Sequence, residues 1–239
     1  MSSPSCSRRS FMRLCGTAAA AAAGAGLAGE LQATAPVRLV WADGSPVTAK
    51  TLQARTEYLF FYPYRSTPCF LLRLSSPAPG VDLNTENGHR YRWQGGSGPD
   101  RSLVAYSAIC AHKLTHPSKA VSFIGYRPDP VGYLDPGNQF VRRGDVIQCC
   151  SEHSIYNPAE GARVLSGPAP QPLAAVDLRE SEGGLEVAGV YGGRLFERFF
   201  ERFGFRLGMD FGDPAYREPV AGEAQLMLTE DYTLQRIQC

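Results

Sequence analysis

Nine short runs rich in apolar, β-branched and aromatic residues constrain the fold of this chain most strongly. Gly, Pro, Asn and Asp separate the runs, and few of them have helical periodicity. Short strands in this number are typical of an antiparallel sandwich or barrel, so the sequence predicts an all-β fold. The predicted strands cover residues 37–42, 57–62, 69–74, 103–109, 120–126, 139–148, 162–165, 173–178 and 185–189.

One segment near the C-terminal end departs from this pattern. Residues 193–206 place apolar side chains at helical spacing on one side, while Glu and Arg fill the other side. We expect a short amphipathic helix that packs on the sheet, since its charges balance and it lacks the dominant basic face of a membrane-surface helix. Residues 225–236 are expected to add another strand. The apolar side of the predicted helix comprises Leu195, Phe196, Phe199, Phe200 and Phe203.

Charge and composition exclude several classes of protein. The 24 Lys and Arg residues nearly balance the 23 Asp and Glu residues, for a formal net charge of +1. This balance argues against a broad nucleic-acid-binding surface, so no nucleic-acid partner is expected. A hydrophobic content of 44% argues against disorder of the whole chain.

The first 35 residues are interpreted as an export signal or N-terminal anchor. Residues 7–12 contain a twin arginine followed by an apolar residue, similar to signals of the bacterial route for folded proteins. The uncharged, alanine-rich stretch 17–28 follows, and cleavage after Ala28 fits its small residues. An uncleaved signal that anchors the protein to the inner membrane is an alternative, and an ordinary cytosolic helix is another. We therefore expect a periplasmic protein, with possible membrane association through its N-terminus.

Two short segments carry pairs of metal-ligating side chains. Cys110 and His112 form a C-x-H motif after the predicted strand 103–109, and Cys150 and His153 form a C-x-x-H motif after the predicted strand 139–148. Two thiolates and two imidazoles suit either zinc or an iron–sulfur centre. Zinc fingers usually pair cysteines with cysteines, whereas each motif here mixes the two residue types. A zinc-stabilised interaction module without redox function remains the alternative.

These motifs resemble the Rieske [2Fe-2S] family, including the Rieske subunits of cytochrome bc complexes and of arsenite oxidase. Residues 167–170, Gly-Pro-Ala-Pro, are similar to the family's loop that covers the cluster. The resemblance implies an antiparallel β sandwich with an inserted cluster-binding subdomain. It also implies that Cys110 and Cys150 hold the inner iron and that His112 and His153 hold the outer iron. We accordingly divide the chain after the export segment into a Rieske domain, 36–190, and a helix-containing extension, 191–239.

The resemblance implies one-electron transfer with a protein partner. A cytochrome, a molybdenum subunit and a quinol-oxidising membrane subunit all fit this role, and the chain is not expected to be catalytic alone. A Rieske-type oxygenase is excluded as a hypothesis because no histidine follows His153 to hold a second iron.

The motif spacing also decides between neighbouring candidate ligands, and two positions in the loops differ from the family. Cys150 is preferred to Cys149 because only Cys150 gives C-x-x-H, so Cys149 is expected to point away from the site. His112 is preferred to His116 for the same reason. The family's inter-loop disulfide is missing, because Thr115 and Glu152 stand at its positions.

The sequence also lacks two hydroxyl groups of the family and contains cysteines outside the two motifs. The family's serine and tyrosine hydroxyls map to Ile155 and Asn157, which predicts fewer hydrogen bonds to sulfur and a lowered redox potential. Cys69 has two candidate disulfide partners, Cys239 and Cys149.

Overall fold

The computed structural model describes residues 31–192 and 194–239, so most of the predicted export segment lies outside it. The helices are Leu195–Phe211 (α1) and Thr229–Tyr232 (α2), with 3-10 turns at Pro158–Glu160 and Ala215–Arg217. The strands are Gln32–Val40 (β1), Glu57–Phe61 (β2), Pro68–Arg73 (β3), Pro79–Asn84 (β4), Arg90–Gly95 (β5), Leu103–Ser107 (β6), Val121–Ser122 (β7), Ile124–Arg127 (β8), Val131–Leu134 (β9), Phe140–Arg143 (β10), Val146–Cys149 (β11), Ser154–Asn157 (β12), Arg163–Ser166 (β13), Ala175–Ser181 (β14), Gly184–Tyr191 (β15), Glu223–Gln225 (β16), Met227–Leu228 (β17) and Gln235–Arg236 (β18). Of the helices described, none is both long and apolar enough to cross a membrane.

The larger sheet has eight strands in the order β16–β1–β15–β14–β6–β3–β2–β17. Its pairs are antiparallel except β1 with β16. The two edge strands β16 and β17 are separated along the chain by Leu226 alone. The Leu226 N–H donates to the Val40 carbonyl at 2.7 Å. The sheet therefore curls into an almost closed barrel, which leaves little unpaired edge.

A smaller antiparallel sheet, in the order β13–β12–β11–β8, is inserted in the chain between β6 and β14. The hairpin of β9 and β10 extends from this insertion. The C-terminal strand β18 returns to pair in parallel with β7. The predicted all-β class is thus confirmed, together with an inserted small sheet and a C-terminal segment that contains a helix.

Strands at the centre of the larger sheet are buried on both faces. Successive side chains of a strand point to opposite faces. Cys69 and Leu71 of β3 accordingly lie in one hydrophobic core with α1, while Phe70 and Leu72 lie in a second core with the small sheet. This double burial explains why β3 is an almost uninterrupted apolar run.

The helix α1 packs its predicted apolar side into the barrel core. Leu195, Phe196, Phe199 and Phe200 are buried, and the helix runs beyond the predicted end at residue 206 to Phe211. The interpretation of this segment as a packing element is therefore confirmed.

His116 is enclosed between its own loop and α1. Its ring makes edge-on contacts with Phe199 and Phe203, at centroid distances of 4.8 and 4.9 Å. Its Nδ1 lies 3.0 Å from the carbonyl oxygen of Leu114. Burial lowers the pKa of His116 below its usual value, because the charged imidazolium is disfavoured where water cannot solvate it.

We expect this histidine to make the protein less stable in mild acid. The unfolded chain takes up a proton at His116 near pH 6.5, whereas the folded state resists it. The penalty is absent above about pH 6.5 and grows as the pH falls towards the lowered pKa, by at most about 1.4 kcal/mol per pH unit.

The measurement is the free energy of unfolding in urea between pH 7 and pH 5 for the wild type and His116→Gln. The His116→Gln variant should have the shallower pH dependence. His89→Gln is the matched control, because His89 is exposed, and it should keep the wild-type slope. Equal slopes for all three proteins would contradict the prediction.

Candidate metal centre

Two loops at one end of the small sheet bring a pair of thiols together. Cys110 follows β6, in the loop of residues 108–116, and Cys149 is the last residue of β11. Both cysteines are buried free thiols, and each side chain shifts the pKa of the other. The structure therefore places Cys149 opposite Cys110.

The structure does not place Cys150, the residue chosen from the C-x-x-H spacing, in this pair. Cys150 forms a disulfide with Cys239, with the two Cα atoms 5.7 Å apart. A sulfur in a disulfide is not a thiolate ligand. Cys149 and Cys150 are successive residues at the end of β11 and point to opposite sides, so turning Cys149 inward turns Cys150 outward. Cys69, for which the sequence left a disulfide with Cys239 or Cys149 open, is a free thiol.

Two hydroxyl groups lie on the same face of the small sheet as Cys149. Ser154 is directly across from Cys149 in the pairing of β11 and β12, and Tyr156 follows two residues later. The Tyr156 hydroxyl lies 3.3 Å from the sulfur of Cys110. The Ser154 hydroxyl is buried without a hydrogen-bond partner among the described residues.

These positions correct the assignment of the hydroxyls to Ile155 and Asn157. Tyr156 supplies the hydroxyl at sulfur, while the Asn157 side chain accepts from the Ala159 N–H at 3.2 Å and from Arg143 at 2.9 Å. A hydroxyl is thus present at a candidate ligand sulfur, so the reason given for a lowered redox potential does not hold.

The thiol pair has an unequal distribution of protons. A hydrogen bond from Cys149 lowers the pKa of Cys110 to about 6, and the Tyr156 hydroxyl and the N–H groups of His112 and Lys113 act in the same direction. The pKa of Cys149 is raised, because its proton is shared with Cys110 and because it is buried. Two cysteine sulfurs side by side are suited to bind a metal, with release of their protons.

A second pair of donors lies at the rim of the thiol pair. The His112 Nδ1 atom is 3.6 Å from a Glu152 carboxylate oxygen, and the other carboxylate oxygen is 3.3 Å from the Lys113 ammonium. The Nδ1 atom is buried and has no hydrogen-bond partner within the described part of the chain. Buried polar atoms without partners are uncommon in folded proteins, and such an atom on a metal-ligating residue type is a free ligand position.

His153 is exposed, and its backbone adopts a left-handed conformation with φ of 56°. The Gly-Pro-Ala-Pro segment lies against this loop. A Cβ on Gly167 would stand 2.6 Å from the His153 carbonyl oxygen and from the Ser154 Cα, so only glycine fits there. His116 does not join the site, because it packs on α1.

The donors are arranged as two pairs rather than around one point. Within residues 31–192 and 194–239, no group of three or more His, Cys, Asp or Glu side chains is placed to hold a metal ion. A structural zinc site needs four ligands around one ion.

The chain is similar to solved structures of known proteins. No family model matches the chain. Among solved structures, the soluble domain of the Rieske protein II (soxF) from Sulfolobus acidocaldarius is similar, with a TM-score of 0.45 and 23% sequence identity. The match covers 66% of this chain and 78% of the soxF chain.

Proposed function

We propose that this protein holds a Rieske-type [2Fe-2S] cluster and carries single electrons. It would serve as an independent carrier or as the iron–sulfur subunit of a larger oxidoreductase. The observation that carries the proposal is the division of donors into a buried sulfur pair, Cys110 and Cys149, and a rim pair that contains His112. Each iron of such a cluster takes two protein ligands, and in Rieske centres nitrogen replaces sulfur on one iron.

Each residue has a defined task in this proposal. Cys110 and Cys149 would hold one iron and His112 the other. When bound, the cluster would take up and release one electron at a time. Tyr156 and nearby backbone N–H groups donate towards the cysteine sulfurs, and burial keeps water from them. The His112 side chain is 23% exposed, so it would offer an electron a short path to a partner.

The cellular setting is part of the same proposal. The twin-arginine segment supports export to the periplasm, with the protein either soluble or anchored through its N-terminus. The partner would be a protein redox centre in a cytochrome, a molybdenum subunit or a quinol-oxidising membrane subunit. The balanced charge argues against a role in binding nucleic acid.

The deciding experiment is spectroscopy of the full-length protein purified without oxygen. We expect iron and acid-labile sulfide in equal amounts, visible absorption, and an electron paramagnetic resonance (EPR) spectrum of Rieske type after reduction with dithionite. A colourless protein that contains zinc and gives no EPR spectrum would overturn the proposal.

Tyr156→Phe is expected to lower the redox potential of the protein. The Tyr156 hydroxyl lies 3.3 Å from the Cys110 sulfur, and a hydrogen bond to sulfur favours the more negative, reduced state. Loss of one hydrogen bond worth about 1 kcal/mol corresponds to a decrease on the order of 40 mV for one electron.

Redox titration followed by EPR measures this change. Tyr106→Phe is the matched control, because the Tyr106 hydroxyl is also buried but donates to the Pro158 carbonyl at 2.6 Å instead of to sulfur. Tyr106→Phe should keep the wild-type potential. An unchanged potential in Tyr156→Phe would show that its hydroxyl does not act on the sulfur.

A further inference from the structure

The position of Cys149 changes which residue completes the second motif. In the C-x-x-H spacing, the fourth protein ligand is the third residue after the ligand cysteine. Counted from Cys149, that residue is Glu152, and His153 is one position too late. A carboxylate is a regular metal ligand beside imidazole and thiolate.

Glu152 also lies where a ligand beside His112 should lie. Two donors about 2.0–2.2 Å from one metal, at a tetrahedral angle, are separated by about 3.3–3.6 Å. The His112 Nδ1 atom and the Glu152 carboxylate oxygen are 3.6 Å apart, which is longer than a hydrogen bond between them. The same Nδ1 atom is the one that has no hydrogen-bond partner among the described residues.

The backbone of the loop ties Glu152 to the sulfur pair. Cys149 is the last residue of β11, and Glu152 follows it by three residues, before β12 begins at Ser154. His153 begins the turn into β12 in a left-handed conformation, and its side chain is exposed.

We propose that Glu152, rather than His153, supplies the fourth protein ligand. The outer metal would then be held by one imidazole nitrogen and one carboxylate oxygen. This inference rests on the proposed function. A carboxylate adds a negative charge that an imidazole does not carry, and the Lys113 ammonium, 3.3 Å from the carboxylate, partly offsets it. The redox potential should therefore be lower than it would be with a second histidine at this position.

Pulsed EPR of the reduced full-length protein, grown with ¹⁴N- or ¹⁵N-histidine, counts the imidazole ligands. We expect one strongly coupled histidine nitrogen in the wild type. His153→Gln should keep that single coupling and the full iron content, whereas Glu152→Gln should lose most of the bound iron. Glu152→His should restore the cluster, give two coupled nitrogens and raise the redox potential. Far-UV circular dichroism of each variant checks that it is folded.

The outcomes separate this inference from the proposed function. Two coupled nitrogens in the wild type, one of them lost in His153→Gln, would overturn the Glu152 assignment and leave the [2Fe-2S] proposal intact. Full iron content with an unchanged spectrum in Glu152→Gln would also overturn the assignment. A wild type without any iron–sulfur EPR spectrum would overturn the proposed function and this inference with it.

Discussion

Cys149→Ser is expected to abolish binding of the cluster, whereas Cys150→Ser should retain it. Cys149 is a buried free thiol whose pKa is raised by the neighbouring Cys110, while the Cys150 sulfur is bonded to Cys239. Serine in place of Cys149 removes one of the two soft sulfur ligands that an iron–sulfur cluster requires. Iron and sulfide content and the EPR intensity of the reduced protein should fall to background in Cys149→Ser.

Cys150 supplies the matched control, because it is the neighbouring cysteine in the same loop. Cys150→Ser is best combined with Cys239→Ser, so that no new free thiol is created, and this double variant should keep the wild-type EPR line shape. The hypothesis from the C-x-x-H spacing predicts the reverse result. Iron retained in Cys149→Ser and lost in the double variant would reject the site described above and restore Cys150 as the ligand.

The strands that the sequence predicted include those that the fold buries on both faces, such as β2, β3 and β6. β3 is a run of apolar residues because one face contacts α1 and the barrel core and the other face contacts the small sheet. The hairpin of β4 and β5 was missed because it lies at the surface. Leu83 and Trp93 alone among its residues are buried, and two apolar residues in two polar strands do not give a detectable alternation.

The same burial made the choice between Cys149 and Cys150 difficult from sequence. Alternation along a strand tells inside from outside only when one face is polar. All four residues of β11 are buried. The sequence therefore does not show which of its residues face the site, and the choice between the two cysteines depended on the motif spacing. The expected hydroxyl positions, Ile155 and Asn157, were counted from Cys150, so each lies one residue beyond a hydroxyl-bearing residue.

The disulfide of Cys150 could not be predicted from the sequence, because its partner is distant along the chain. Cys239 is 89 residues away, and cysteine connectivity cannot be deduced from spacing. The structure explains the pairing through the C-terminal strand β18, which pairs with β7 beside the small sheet. The Arg127 guanidinium donates to the Ile237 carbonyl at 2.6 Å and holds the end of the chain in the same place.

Removal of the Cys150–Cys239 disulfide is expected to lower the free energy of unfolding by about 2–4 kcal/mol. A disulfide stabilises a protein mainly by restricting the unfolded chain. The chain-entropy relation gives an upper value of about 4.6 kcal/mol for a separation of 89 residues. The folded state should change little, because β18 and the Arg127 contact retain the C-terminal segment without the covalent bond.

Urea denaturation of the wild type and of Cys150→Ser/Cys239→Ser, at matched cluster content, measures this difference. Dithiothreitol should bring the wild type to the midpoint of the double variant and should leave the double variant unchanged. A decrease below about 1 kcal/mol would mean that the unfolded chain gains little freedom from the missing bond. A double variant that still responds to dithiothreitol would show instead that another pair of cysteines is bonded in the protein.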